Sequence, residues 1–372
     1  MARRGEFVTL DKSISTDNFD YLNARLRVMH GKLLSNEHYK QLLSLKEVET
    51  LVDFLLNSPY AVDLSDTLVS SSGYPAIEIT LRENLSQTMQ KVLSMAEGRT
   101  RYWIGLLLSK WDIYNIKTII RGKLTHQLPE DIFQSLVPMA TLKDVHLKML
   151  IEQEEIKEVI SLLATWGYNL DRKIKEAIID FYNQYPEVSL IYKHLIEIEN
   201  LIDRWYFEYL VESLKTEDED SFFVQKMVAS EIDFFNLTIC LKLVSEGSNL
   251  KEKSSLFIKG GLIKEELLGS MLGCQEVEGV FSLLEKTEFS SIAEEGSLLY
   301  GKMKKLSIIE RLLEGVIIKK AARMYSKNPL SISIAIGYLW EKYNEFVNLK
   351  SITWGIKHQV PPEIIKGELI FV

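Results

Sequence analysis

The feature that most limits how this chain can fold is a repeat. An acidic residue and an asparagine three positions later recur in four helix-like stretches: "NFDYLNARLRVMHGKL", "KWDIYNIKTIIRGKL", "EIDFFNLTICLKL" and "YNEFVNLKSITWGIKH". Shifted by 121 residues, the segment beginning at Asp112 lies on the segment beginning at Asp233 without a gap. Asp112 then meets Asp233, Asn115 meets Asn236, Leu142 meets Ile263, Lys143 meets Lys264 and Leu147 meets Leu268. Further on, Ile156, Val159, Ile160 and Leu163 meet Val277, Val280, Phe281 and Leu284. A shorter unit opens with Asp20 and Asn23 and closes with Val48, Leu51, Val52 and Leu55. In each unit an aromatic stands twelve positions after the first apolar residue of the closing helix: Tyr60, Tyr168 and Phe289. Glu345 and Asn348 then begin a half-unit.

A repeated unit of this size cannot bury its apolar face alone, so its neighbours must cover it. Three units and a half-unit predict three helical lobes around an approximate threefold axis, with an open solenoid as the structural alternative. The expected divisions are a tail over residues 1–16, lobes over 17–110, 111–230 and 231–340, and a closing half-repeat over 341–372.

Helical periodicity supports an all-α fold. "EVETLVDFLL", "EEIKEVISLL" and "QEVEGVFSLL" each put apolar residues on one helical face, and strand-like alternation is scarce. Polar, turn-forming composition predicts loops over Val62–Pro75, Lys215–Ser221 and Ser245–Ser255.

Composition narrows the function classes. With 44 basic against 52 acidic residues the net charge is −8, and no basic stripe is present for phosphate; Arg3 and Arg4 are too few, so nucleic acid is not an expected partner. The longest uncharged run, Asn328 to Trp340, falls short of the roughly 20 residues a membrane span requires. The first fifteen residues hold no continuous apolar stretch of the kind a signal peptide carries, so a cytoplasmic location is expected. Cys240 and Cys274 sit in apolar helical patterns and read as small buried hydrophobes in a reducing compartment.

Catalytic constellations are missing. There is no "HExxH", no P-loop and no "GxGxxG", and the six histidines lack metal-ligand spacing, so neither cofactor nor metal is expected. "KGGL", Lys259 to Leu262, could cradle an anion but reads better as a turn, because no glycine stands at the matching Pro138–Ala140.

The acid and the asparagine share one helical face. A cation follows the asparagine by two positions in three copies, Arg25, Lys117 and Lys350, with Thr238 in the other. Two readings stay open: the pair satisfies backbone groups of a loop, or it lines a surface that grips a partner.

Taken together, "YLNARLRVMHGKLLSNEHYKQLL", "VETLVDFLLNSPY", "KWDIYNIKTIIRGKL", "FIKGGLI" and the ending "YNEFVNLKSITWGIKHQVPPEIIKGELIFV" resemble the C subunit of prokaryotic V/A-type rotary ATPases, the relative of the vacuolar d subunit, from about Asp17 onward. The tail over Met1–Thr16 is long for that family, and the second unit lacks the glycine pair. The resemblance implies a non-catalytic, three-lobed funnel between the central stalk subunits and the membrane proteolipid ring. There it would pass rotation to the ring, and so to H⁺ or Na⁺ movement, at the cytoplasmic face of the membrane. It would place Asn23, Arg25, Asn115, Lys117, Arg121, Asn236, Asn348 and Lys350 near the inner wall. A free helical scaffold for soluble helical partners is the rival interaction reading. An α-helical enzyme with an unfamiliar site would require a buried polar pocket.

Overall fold

The computed structural model describes residues 19–184, 191–215, 219–247 and 257–372, and among these no residue is in a β-strand. The expected tail over Met1–Thr16 lies outside the described residues. The helices run, in chain order, α1 (Phe19–His30), α2 (Asn36–Ser44), α3 (Val48–Leu56), α4 (Ala61–Leu68), α5 (Gly73–Met95) and α6 (Gly98–Leu124). There follow α7 (Pro129–Gln134), α8 (Asp144–Glu152), α9 (Ile156–Thr165), α10 (Arg172–Gln184), α11 (Ile191–Ser213) and α12 (Glu219–Ser245). The remainder is α13 (Glu265–Leu272), α14 (Val277–Leu284), α15 (Ala293–Met303), α16 (Leu306–Met324), α17 (Ser333–Lys357) and α18 (Pro362–Glu368).

The described residues form two compact units, one of residues 89–228 and the other of residues 19–88 with 229–372. The boundaries fall inside α5 and α12.

Three long helices, α6, α12 and α17, hold the acid–asparagine pairs. Apolar residues ring almost the whole circumference of α6 and α17, the pattern of a helix enclosed by others rather than lying on a surface. The short helices α3, α9 and α14 instead bury one face each: Leu51 and Leu55 on α3, Ile156, Val159, Ile160 and Leu163 on α9, and Val277, Val280, Phe281 and Leu284 on α14. At the start of α2 the Ser35 N–H donates to Nδ1 of His38 at 3.0 Å, and at the start of α8 the Lys143 N–H donates to Nδ1 of His146 at 3.1 Å. Two of the dispersed histidines therefore satisfy donors at helix starts that would otherwise lack partners.

The C-terminal half-repeat has a definite place. Leu349, Ile352 and Ile356 of α17, Ile365 of α18 and Leu369 share one core with Leu34, Leu42, Leu51, Leu55, Tyr60 and Leu64. α18 is the counterpart of α7. Both open with proline in the first turn, where the missing N–H costs nothing. Ile132 of α7 lies against Gly122, and Ile365 of α18 against Gly355, so closely that a Cβ on either glycine would overlap the isoleucine.

Two loop expectations require correction. Val62–Pro75 is mostly helical, holding nearly all of α4 and the first turn of α5. Its hydroxyls do not break the helix because they bond back into it: Ser65 Oγ donates to Ala61 O at 2.7 Å and Thr67 Oγ1 to Asp63 O at 2.9 Å. Of Lys215–Ser221, residues 216–218 lie outside the described residues, while Asp220 and Ser221 belong to α12. Of Ser245–Ser255, Ser245 ends α12 and Gly247 turns at φ +60°; the rest lies outside the described residues. Cys240 is buried as expected, but Cys274 is only partly so, and both are free thiols.

Candidate functional site: a clasp built three times

On α6, Asp112 and Asn115 face a strap of chain that follows α7. The Asn115 side chain bonds Val137 in both directions, Nδ2 donating to Val137 O and Val137 N–H donating to Oδ1, each at 2.8 Å. A side-chain amide thus imitates a β-bridge. Asp112 takes the strap's next free donors, Thr141 N–H on Oδ2 at 2.9 Å and Leu142 N–H on Oδ1 at 3.0 Å. The Tyr168 hydroxyl, from the turn after α9, donates to Asp112 Oδ2 at 2.6 Å. Both Asp112 and Asn115 are fully buried. Burial pushes the Asp112 carboxyl up to about 6, against these hydrogen bonds, which favour its ionised form.

The same construction stands on α12, displaced by the shift the sequence shows. Asn236 Nδ2 donates to Ile258 O at 2.9 Å, and Asn236 Oδ1 accepts from Ile258 N–H at 2.8 Å. Asp233 accepts from Leu262 N–H at 2.8 Å and Ile263 N–H at 3.1 Å. Phe289 replaces the tyrosine, so that position offers this carboxylate no hydroxyl. Gly261, where the α6 copy has Ala140, brings the strap so close that a Cβ would overlap the Asp233 carboxylate. The "KGGL" segment is a turn, with Gly260 at φ +107°, and the anion that the following N–H groups hold is the chain's own. Burial again pushes Asp233 up to about 6.

The third clasp joins distant parts of the sequence. On α17, Asn348 bonds Ile370 in both directions, at 2.9 and 3.1 Å. Glu345 accepts the Leu34 N–H and the Tyr60 hydroxyl, the latter at 2.7 Å. Leu34 and Tyr60 hold the places that Leu142 and Tyr168 hold in the α6 clasp, the first shortly before a capped helix and the second just after a closing one. Here a cation joins the cluster, Lys342 Nζ lying 2.7 Å from Glu345 Oε1 and 3.0 Å from the Tyr60 hydroxyl.

That pairing corrects the reading of the first unit. Its acid–asparagine pair is Glu345–Asn348, not Asp20–Asn23. Asp20 lies on the exposed face of α1, and Asn23 Nδ2 donates to Pro329 O at 3.0 Å and Ser331 O at 3.1 Å, pinning α1 to the approach to α17. The repeat is complete in space although its halves stand at opposite ends of the sequence.

The eight candidate partner residues divide in two. Asn23, Asn115, Asn236 and Asn348 are enclosed by their own chain and their amides serve its backbone. Each of the four amides is thus committed to backbone of its own chain. Arg25, Arg121 and Lys350 are exposed, and Lys117 is half-buried. Lys117 and Arg121 are engaged with α11, Nζ to Asp203 Oδ1 at 2.7 Å and Nη2 to Glu199 Oε1 at 2.7 Å. Lys242, at the place of Arg121 on α12, pairs with Glu310 of α16 at 3.3 Å. Burial pushes the Asp203 carboxyl up and the Lys117 ammonium draws it back.

Sequence reasoning places Tyr60, Tyr168 and Phe289 in register without revealing that two of them finish a clasp. The signal is their chemistry: a hydroxyl paired with an acid in two copies and lost in the third. Among the described residues no group of three or more His, Cys, Asp or Glu is arranged to hold a metal, and no helix is long and apolar enough to cross a membrane.

Residues 22–368 match the model of the ATP synthase (C/AC39) subunit family, and the chain belongs to that family. It is similar to the C subunit of the A-type ATP synthase of Methanococcoides burtonii, 30% identical over 366 residues, which span 97% of each chain. It is also similar to the proteins of that name from Haloferax volcanii, 26% identical over 95% of this chain and 98% of the relative, and from Pyrococcus furiosus, 26% identical over 94% and 89%. It is therefore a non-catalytic, accessory subunit of a rotary ATPase.

Proposed function

We propose that this protein links the central stalk of a V/A-type ATPase to the membrane proteolipid ring and passes rotation between them, so that ATP chemistry elsewhere in the complex is coupled to H⁺ or Na⁺ transport. The family match over residues 22–368 carries this reading. It docks peripherally, at the cytoplasmic face of the membrane, as a funnel of three helical lobes over residues 17–110, 111–230 and 231–340, closed by 341–372. The clasps suit that task. A coupling part must not yield under torque, and each strap is tied to a long helix by a side-chain amide and a carboxylate rather than by loop packing alone. Contact with the stalk falls to the exposed cations Arg25, Arg121 and Lys350, with the half-buried Lys117 beside Arg121 on α6, and the buried asparagines brace the helices that carry them.

A tagged pull-down from detergent-solubilised membranes of the source organism tests this. Recovery of the stalk components together with the proteolipid ring is the expected result. Recovery of neither, from membranes whose complex is otherwise intact, would overturn it.

A further inference from the structure

The three helices that carry the clasps share a second repeated stripe, and in only two copies does it meet a carboxylate. In the register that puts Asp233 and Glu345 on Asp112, Lys117 falls on Thr238 and Lys350, and Arg121 falls on Lys242 and Trp354. On α6 the stripe is faced by α11, running the opposite way. Asp203 pairs with Lys117 at 2.7 Å, and Glu199, one turn earlier, pairs with Arg121 at 2.7 Å. On α12 the stripe is faced by α16, whose Glu310 reaches Lys242 at 3.3 Å. On α17 the stripe is open. Lys350 is exposed and pairs with no carboxylate among the described residues. Trp354 is 52% exposed, and it is the one exposed tryptophan among the described residues. The His358 ring lies beside it one turn on, with centroids 4.6 Å apart, while Lys357 is turned aside to Tyr74, its Nζ 3.7 Å from that ring's centroid.

We propose that Lys350 and Trp354 form a docking site for an acidic amphipathic helix of another subunit, laid along α17 as α11 is laid along α6.

The two closed copies define what the stripe accepts. Each meets a helix that brings carboxylate to the cation. On α6 two acids four residues apart meet two cations four residues apart, since residues at that spacing share one helical face. The α17 copy keeps the first cation, so it calls for one carboxylate at the place of Asp203. It exchanges the second cation for an indole, so it calls for an apolar side chain one turn away, at the place of Glu199. An exposed indole offers a large apolar surface and one N–H, the combination that anchors protein interfaces. The lysine beside it adds selection by charge, because a basic helix laid here would set like charges together. The inference rests on Lys350 belonging to a partner surface, as proposed above, but does not require that the partner be the stalk.

The test uses the whole ATPase in its membranes, with the photoreactive change Trp354→p-benzoylphenylalanine. Irradiation is expected to link this position to a segment of another subunit that holds a carboxylate within one helical turn of the linked residue. Lys350→Glu should then lower, several-fold, the amount of this subunit that stays with the linked one. Exchange of the partner's carboxylate for lysine should restore it. Position 350 is exposed, and thermal unfolding equal to that of the unmodified chain separates lost docking from lost folding. No link, a link to lipid, a link to the chain's own residues 1–16 or a link to a segment without acid would overturn the proposal. So would Lys350→Glu without effect on retention, or a loss that the exchange leaves in place. The coupling role fails separately: a pull-down without stalk or ring refutes that role, whereas a link to lipid in a complex that holds both refutes only the docked helix.

Discussion

The Tyr60 hydroxyl donates to Glu345 Oε1 at 2.7 Å across 285 residues of sequence. With Lys342 bonded to both, these three side chains form a buried polar cluster in which every member depends on the others. Removing the cation should be the most damaging single change here. Lys342→Met leaves a buried carboxylate without its counter-charge and is expected to cost about 3–5 kcal/mol in urea unfolding. Replacing Lys342 and Glu345 together with apolar residues should recover much of that loss, and a double mutant as unstable as the sum of both single ones would contradict the cluster.

Asn115→Ala strands the Val137 N–H inside the protein and leaves Val137 O with the Met139 N–H alone. One buried donor without its acceptor and one weakened carbonyl give an expected loss of about 1–3 kcal/mol. Asn236→Ala should cost a similar amount through Ile258. Stalk binding by the folded fraction should be unchanged in both, since neither amide reaches a surface. Reduced binding at normal stability would return these asparagines to the partner surface.

Gly261→Ala is expected to destabilise by about 1–3 kcal/mol, because the new methyl meets the Asp233 carboxylate rather than a side chain that can swing away. The matching Ala140→Gly on the other clasp should cost well under that. Thermal unfolding of the two variants side by side separates a local steric rule from a general glycine effect.

The two buried aspartates set a direction for pH. Each has its folded-state value raised from 3.8 to about 6, mainly by burial, so between those values the folded state holds protons that the unfolded state releases. Stability therefore falls as pH rises from about 4 to about 6, by an amount on the order of 2–3 kcal/mol per group. Urea unfolding across that window should show this slope, and in Asp112→Asn about half of it should vanish. A slope equal to that of the unmodified chain would mean that burial does not act on Asp112 as argued.

Much of this was legible in the sequence. Hydrophobic period alone predicts an all-α chain, and the shift of 121 residues that aligns Asp112 with Asp233 also relates Val137 to Ile258 and Leu142 to Ile263, their hydrogen-bond partners. Register identifies equivalent positions but not what a side chain touches. So Asp20–Asn23 resembles the first clasp by its four-letter pattern, when that pair serves a different contact and Glu345–Asn348 closes the unit. Likewise α4 is masked because Ser65 and Thr67 suggest a turn by composition, and only their bonds to Ala61 and Asp63 reveal a helix. Bracing was the least readable role, since residues repeated for internal bracing carry the same periodicity as residues repeated for recognition.

The bond between Tyr60 and Glu345 also sets a timetable for synthesis. At about 5–20 residues per second, the ribosome adds the intervening 285 residues in roughly fifteen seconds to a minute. Throughout that interval the newly made Leu42, Leu51 and Leu55 lack the cover of Leu349, Ile352, Ile356 and Ile365. The unit of residues 89–228 faces no such delay, as its Asp112 clasp closes by Tyr168. The nascent chain thus carries an early-made but late-sealed apolar surface, the part of this protein that most needs a chaperone while translation is under way.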